Sequence, residues 1–80
     1  MKIQVLGTGC PKCKKLLENV EAALAQSGVA AEVEKVTEVA KIAEFGVMFT
    51  PALAIDGQIK AAGKVLAPDK IVELIKAAAG

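Results

Sequence analysis

The chain has two cysteines, Cys10 and Cys13, in the stretch Gly7-Thr8-Gly9-Cys10-Pro11-Lys12-Cys13, so the only disulfide its 80 residues can form internally closes a four-residue loop. A bridge of that span contributes about 2 kcal/mol in the chain-entropy model, near the low end for disulfides. Domains of this size bury only about 60 to 65% of their unfolded surface, and secreted ones often need several long-range bridges. This fold must therefore come from hydrophobic patterning alone. The adjacent pair reads as chemistry in a reducing compartment rather than as a staple.

The patterning gives one domain over residues 1–80. Ile3-Gln4-Val5-Leu6 is apolar and β-prone, as expected of a central strand covered on both faces. After the Gly7-Thr8-Gly9 turn, Pro11 opens a helix with an apolar stripe of Cys13, Leu17, Val20 and Leu24, flanked by Leu16 and Ala23 and ended by Ser27-Gly28. Residues 30–36 interleave Glu32 and Glu34 with apolar positions and predict a charged edge strand. Thr37 is the expected cap of a second helix, in which Val39, Ile42 and Ala43 share a face before Gly46 stops it. Asp56-Gly57 between two β-prone runs predicts a hairpin with a type I′ turn, and Pro68 starts a last helix with Ile71, Val72, Leu74 and Ile75 on its apolar face. The order β-α-β-α-β-β-α predicts an α/β fold, with the first two strands parallel, the hairpin antiparallel, and helices on both faces of a four-stranded mixed sheet.

Composition removes several kinds of function. Ten basic residues against nine acidic ones, with two Phe and no Trp or Tyr, provide neither a phosphate-binding stripe nor a base-stacking platform, so no nucleic-acid partner is expected. His is absent, which removes imidazole as a general base. Alanine is the commonest residue in the 54% hydrophobic content, and there is no run of the ~20 apolar residues that a membrane span needs. The start, without a long apolar segment or a small-residue cleavage site, predicts an unprocessed, soluble, cytoplasmic protein.

The two thiols differ by position. Cys10 falls where strand meets helix, a place that favours thiolate because unpaired N–H groups of the first turn and the ammonium groups of Lys12, Lys14 and Lys15 lie near. Cys13, a turn later on the apolar stripe, is expected to be the less exposed. Cys10 is then the attacking sulfur and Cys13 the one that resolves a mixed disulfide.

With these residues the chain resembles thioredoxin-fold proteins, most nearly the small thioredoxin-like redox-active disulfide proteins that have a glutaredoxin-like minimal core. The resemblance rests on Cys10-Pro11-Lys12-Cys13 after the first strand and on Glu44-Phe45-Gly46-Val47-Met48-Phe49-Thr50-Pro51 leading into the hairpin. It implies a three-layer α/β/α fold with sheet order 2-1-3-4. It also implies that Pro51 is a cis-proline with Thr50 before it opposite Cys10, and that Gly63 lets a substrate backbone come close. From the residues alone, a trans bond in an ordinary turn is the alternative, since only about 5 to 6% of X-Pro bonds in folded proteins are cis. The chain departs from the family pattern at Gln4, where thioredoxins have a buried acid that accepts a proton, and at Gly9, where they have an aromatic residue. Proline directly after the first cysteine resembles glutaredoxins, but their glutathione-holding signature is missing around Gly63-Lys64-Val65.

Metal handling is the rival reading, because heavy-metal-associated domains also place a Gly-x-x-Cys-x-x-Cys loop after a first strand. Those domains end on a strand, whereas this chain ends on a helix, and two thiols without His fall short of a closed zinc site. Two-coordinate Cu(I) stays open. Phe45, Met48 and Phe49 read first as core packing, with Met48 or Phe49 as the alternative rim of a site, and Glu32 and Glu34 as a solvated edge. The resulting expectation is a monomeric thiol-disulfide oxidoreductase without cofactor or metal. Cys10 and Cys13 react, Pro11, Lys12, Thr50, Pro51 and Gly63 line the binding surface, and the partners are disulfide-containing proteins or small disulfides and an unidentified reductase.

Overall fold

The computed structural model describes residues 1–9 and 11–79. The surroundings expected of Cys10, and the terminal Gly80, lie outside the described residues. Strand β1 (Lys2–Leu6) pairs in parallel with β2 (Glu32–Val36) and antiparallel with β3 (Ala52–Ile55), which pairs antiparallel with β4 (Gln58–Ala62). The sheet order is therefore β2-β1-β3-β4, as predicted. Helices α1 (Pro11–Ser27), α2 (Val39–Glu44) and α3 (Pro68–Ala79) complete the order β-α-β-α-β-β-α.

Strand alternation divides the apolar residues between two layers. Ile3, Val5, Leu53, Ile55 and Ala61 face α1 and α3, where they pack with Leu16, Val20, Ala23, Ile71 and Ile75 in one buried cluster. Leu6, Val36, Ala52 and Ala54 face the other way and pack with Ile42 of α2. A register shift at Leu53/Ala54 turns the β4 edge, so that Ala61 joins the first cluster while Ile59, two positions earlier, packs against the second.

Local signals behave as their chemistry requires. Asp56 (φ 50°) and Gly57 (φ 83°) both have positive φ, the type I′ arrangement, and the turn is tied to β1 by Asp56 N–H to the Lys2 carbonyl (2.8 Å) and by Lys2 N–H to Asp56 Oδ1 (2.8 Å). Asn19 Nδ2 donates to the Leu66 carbonyl at 2.9 Å and fixes α1 to the segment before α3.

Several expectations need correction. The first edge strand begins at Glu32 rather than at residue 30. The cap position of α2 is Glu38, without a side-chain cap hydrogen bond, so Thr37 does not cap it: the helix starts one residue later than its sequence suggests. The buried seam of α1 runs through Cys13, Leu16, Val20 and Ala23, while Leu17 and Leu24 are only half-buried, because the helix is gripped between the sheet and α3. Phe45 packs against the smaller core, but Met48 and Phe49 do not enter it.

Candidate functional site

The site is built where β1 runs out. Gly7 N–H donates to the Val36 carbonyl (2.9 Å), which continues the parallel pairing past the strand's end and carries the buried Gly7 against the start of α1. A Cβ on Gly7 would collide with Cys13 Sγ, and it would also stand 3.0 Å from Cys13 Cβ and 4.0 Å from Pro51 Cα. Only glycine permits this approach. Cys13 is 6% exposed and disulfide-bonded, so its sulfur is seated between strand end and helix rather than turned to solvent.

Pro11 and Lys12 lie exposed in the first turn of α1, which contains no acidic residue to compete for its N–H groups. Pro51 is fully buried, and the Thr50–Pro51 peptide bond is cis. Thr50 itself is exposed, and it makes no backbone hydrogen bond among the described residues. Gly63 N–H donates to the Pro51 carbonyl at 2.9 Å. The structure thus brings Cys13, Gly7 and Pro51 together, links Gly63 to them through Pro51, and leaves Pro11, Lys12 and Thr50 at the surface; Cys10 is not among the described residues.

Two contributions are not legible in the sequence as such. Gly7 reads there as one residue of a turn, and only the crossing of β1 and α1 makes it the seat of a sulfur. At Gly63 (φ +75°) a Cβ would lie 3.0 Å from Phe49 Cβ and 3.6 Å from Phe49 Cγ, so the space left by the missing side chain is taken up by Phe49. Three consecutive large apolar residues at 47 to 49, after a glycine stop and before a proline, are the available signal.

The flanks differ in charge. On one side Lys14 and Lys35 border a small pocket that reaches Cys13 past Val5, Gly7 and Leu17. On the other, a groove beside α2 is lined by Thr8, Val39, Ile42, Ala43, Val47, Met48 and Thr50, without a charged side chain. Gln4 faces its register partner in β2 instead of supplying an acid. Its Nε2 donates to Glu34 Oε1 (2.9 Å), and Lys2 Nζ lies 3.2 Å from Glu34 Oε2. The hydrogen bond from Gln4, followed by that from Lys2, holds the Glu34 carboxyl below the usual carboxylate range. No group of three or more His, Cys, Asp or Glu is gathered among the described residues to hold a metal ion.

Residues 1–76 match the family model described as a thioredoxin domain. A thioredoxin of Methanothermobacter thermautotrophicus is 40% identical over 75 residues, which cover 94% of this chain and 97% of the relative. A thioredoxin of Methanocaldococcus jannaschii is 45% identical over 74 residues, covering 92% of this chain and 85% of the relative. With a family model matched from the first strand into the last helix, and relatives at these identities along nearly the whole length, the chain belongs to the thioredoxin family.

Proposed function

We propose that the chain is a cytoplasmic, monomeric dithiol-disulfide oxidoreductase that reduces disulfide-containing proteins through Cys10 and Cys13. The observation that carries this reading is the seat of Cys13: a buried, disulfide-bonded sulfur at the start of α1, in contact range of Gly7 and beside Pro51. In the reaction the Cys10 thiolate attacks one sulfur of a client disulfide. A Cys10–client S–S bond forms as the client's own S–S bond breaks, and the released client sulfur takes up a proton. Cys13 then loses its proton and attacks the Cys10 sulfur; the intramolecular disulfide closes and the second client thiol leaves. The client gains two electrons and two protons, which a dithiol reductase must return to the protein.

Gln4, turned to Glu34 on the other face of the sheet, supplies no acid to Cys13, so the Cys13 proton passes to the departing client thiolate or to water. Thr50, exposed beside Pro51 with an unpaired backbone among the described residues, supports pairing with an extended client segment. Lys12, exposed in the first helical turn, adds positive charge where thiolates form.

The test is insulin reduction followed by turbidity in the presence of dithiothreitol. The protein should shorten the lag, and Cys10→Ser should abolish the effect. A wild type that leaves the lag unchanged, while holding one Cu(I) through both sulfurs, would replace this reading with that of a metal carrier.

A further inference from the structure

One step along β1, from Gln4 to Val5, changes the face of the sheet. Gln4 and its partner Glu34 point away from α1, whereas Val5 packs in the cluster beneath α1 and α3, and its parallel partner is Lys35. Register partners share a face, so Lys35 leaves β2 on the side of the sheet where Cys13 is seated. The small pocket that reaches Cys13 gathers what this face offers: Lys35 from β2, Lys14 from α1, and Val5, Gly7 and Leu17 as an uncharged wall. Neither lysine has a carboxylate within ion-pair distance among the described residues. The neighbouring acids are engaged or lie elsewhere: Glu18 faces Lys15 at 3.8 Å, Glu34 is held by Gln4 and Lys2, and Glu38 borders a separate groove. Pro51, on the remaining side of the Gly7–Cys13 contact, has nothing to ionise. The pocket holds about 90 Å³, room for several waters, since one needs roughly 10 to 15 Å³. A thiol proton can thus leave to water here, with two uncompensated cations and no anion bordering the pocket.

We infer that Lys35, with Lys14 beside it, favours the thiolate of Cys13 in the step that releases the client, where no acid stands ready to take the proton. This deepens the oxidoreductase reading above and rests on it. In that step the Cys13 proton goes to pocket water and the Cys13 thiolate attacks the Cys10 sulfur. The internal disulfide closes, the Cys10–client bond breaks, and the client leaves as a thiolate that then takes up a proton. A nearby ammonium group has two opposed effects: it raises the thiolate fraction at neutral pH, and it makes each thiolate a weaker nucleophile. They do not cancel. Half a unit of pKa changes the thiolate fraction about threefold, but nucleophilicity only about 1.7-fold at a Brønsted slope of about 0.45. Lys35 and Lys14 are positioning residues, acting on the reaction through the Cys13 sulfur.

The experiment has two readouts. In Cys10→Ser, Cys13 is the sole thiol, and its titration is followed by the ultraviolet absorbance of the thiolate, undisturbed because the chain has no Tyr. Adding Lys35→Gln should raise the apparent pKa by about half a unit, adding Lys35→Arg should leave it in place, and salt should narrow the difference. In the chain with both cysteines, release of the second thiol from a disulfide-linked peptide pair is followed in a single turnover against pH. Lys35→Gln should be about twofold slower at neutral pH and faster than the wild type above both pKa values, so that the two profiles cross. A loss of packing slows release at every pH and cannot produce the crossing. Superimposable Cys13 titrations, or a uniform slowing, overturn the inference and leave the redox reading standing. A wild type that releases no thiol from the peptide pair overturns both.

Discussion

The two faces of the sheet are built to different depths. One is covered by α1 and α3, of 17 and 12 residues, over a cluster that includes Ile3, Leu16, Leu53, Ile71 and Ile75, each fully buried. The other is covered by α2, of six residues, and its cluster reaches only from Leu6 and Val36 to Ile42, Ala52 and Ala54. Beyond α2 that face shows Lys2, Gln4 and Glu34 at one end and the apolar groove at the other. The thick layer provides most of the burial that holds the fold. The thin layer leaves Val39 and Met48 exposed on the groove that reaches Thr50.

The contrast breaks most visibly in the thick layer. Ile71→Ala should cost about 2 to 5 kcal/mol, the usual range for emptying a filled aliphatic site, read from urea denaturation. A cost below about 1 kcal/mol would mean that the α1/α3 layer is not where stability resides. Gly7→Ala tests the junction of the two layers. Its methyl meets the Cys13 sulfur and must displace strand or helix, so a loss of about 1 to 3 kcal/mol is expected, along with slower insulin reduction. Unchanged activity and stability would show that Gly7 is a turn residue only. Met48→Ala, in the thin layer, should change stability by no more than about 0.5 kcal/mol, because the side chain is 88% exposed.

The smallest effect concerns Glu34. Its carboxyl is held below the ordinary range by the Gln4 amide and then by Lys2, so its share of stability is present at neutral pH. That share is lost as the pH falls below the ordinary carboxylate range and through the lowered folded value. Gln4→Leu removes the larger cause and should weaken the fall in stability between neutral and acid pH. An identical acid limb in urea denaturation would contradict the assignment.

What the sequence discloses divides along the same line. The Asp56-Gly57 hairpin is legible because both positions need positive φ, a demand written in the residues themselves. Helices α1 and α3 are legible because apolar residues that keep a helical period over three or more turns fit a helix and no strand. α2 is too short for such a period to show. Val39, Ile42 and Ala43 do share a face, but periodicity cannot say that the face would open onto a groove instead of a core. The same limit applies to Met48 and Phe49, which look like core residues until the chain is seen to have nothing to lay over them. Gln4 visibly stands where the family has an acid, but its partner Glu34 comes from strand register, 30 residues away.

That the two cysteines have unequal roles is tested most directly by trapping on a defined client. Cys13→Ser and Cys10→Ser are each incubated with a disulfide-linked peptide, and the products are mapped by mass spectrometry under non-reducing conditions. With Cys13 removed, the second displacement has no nucleophile, so the peptide should accumulate on Cys10 as a stable mixed disulfide. Cys10→Ser should trap far less, because the remaining sulfur is buried in its seat beside Gly7. Equal trapping by the two variants, or trapping by Cys10→Ser alone, would contradict the unequal roles.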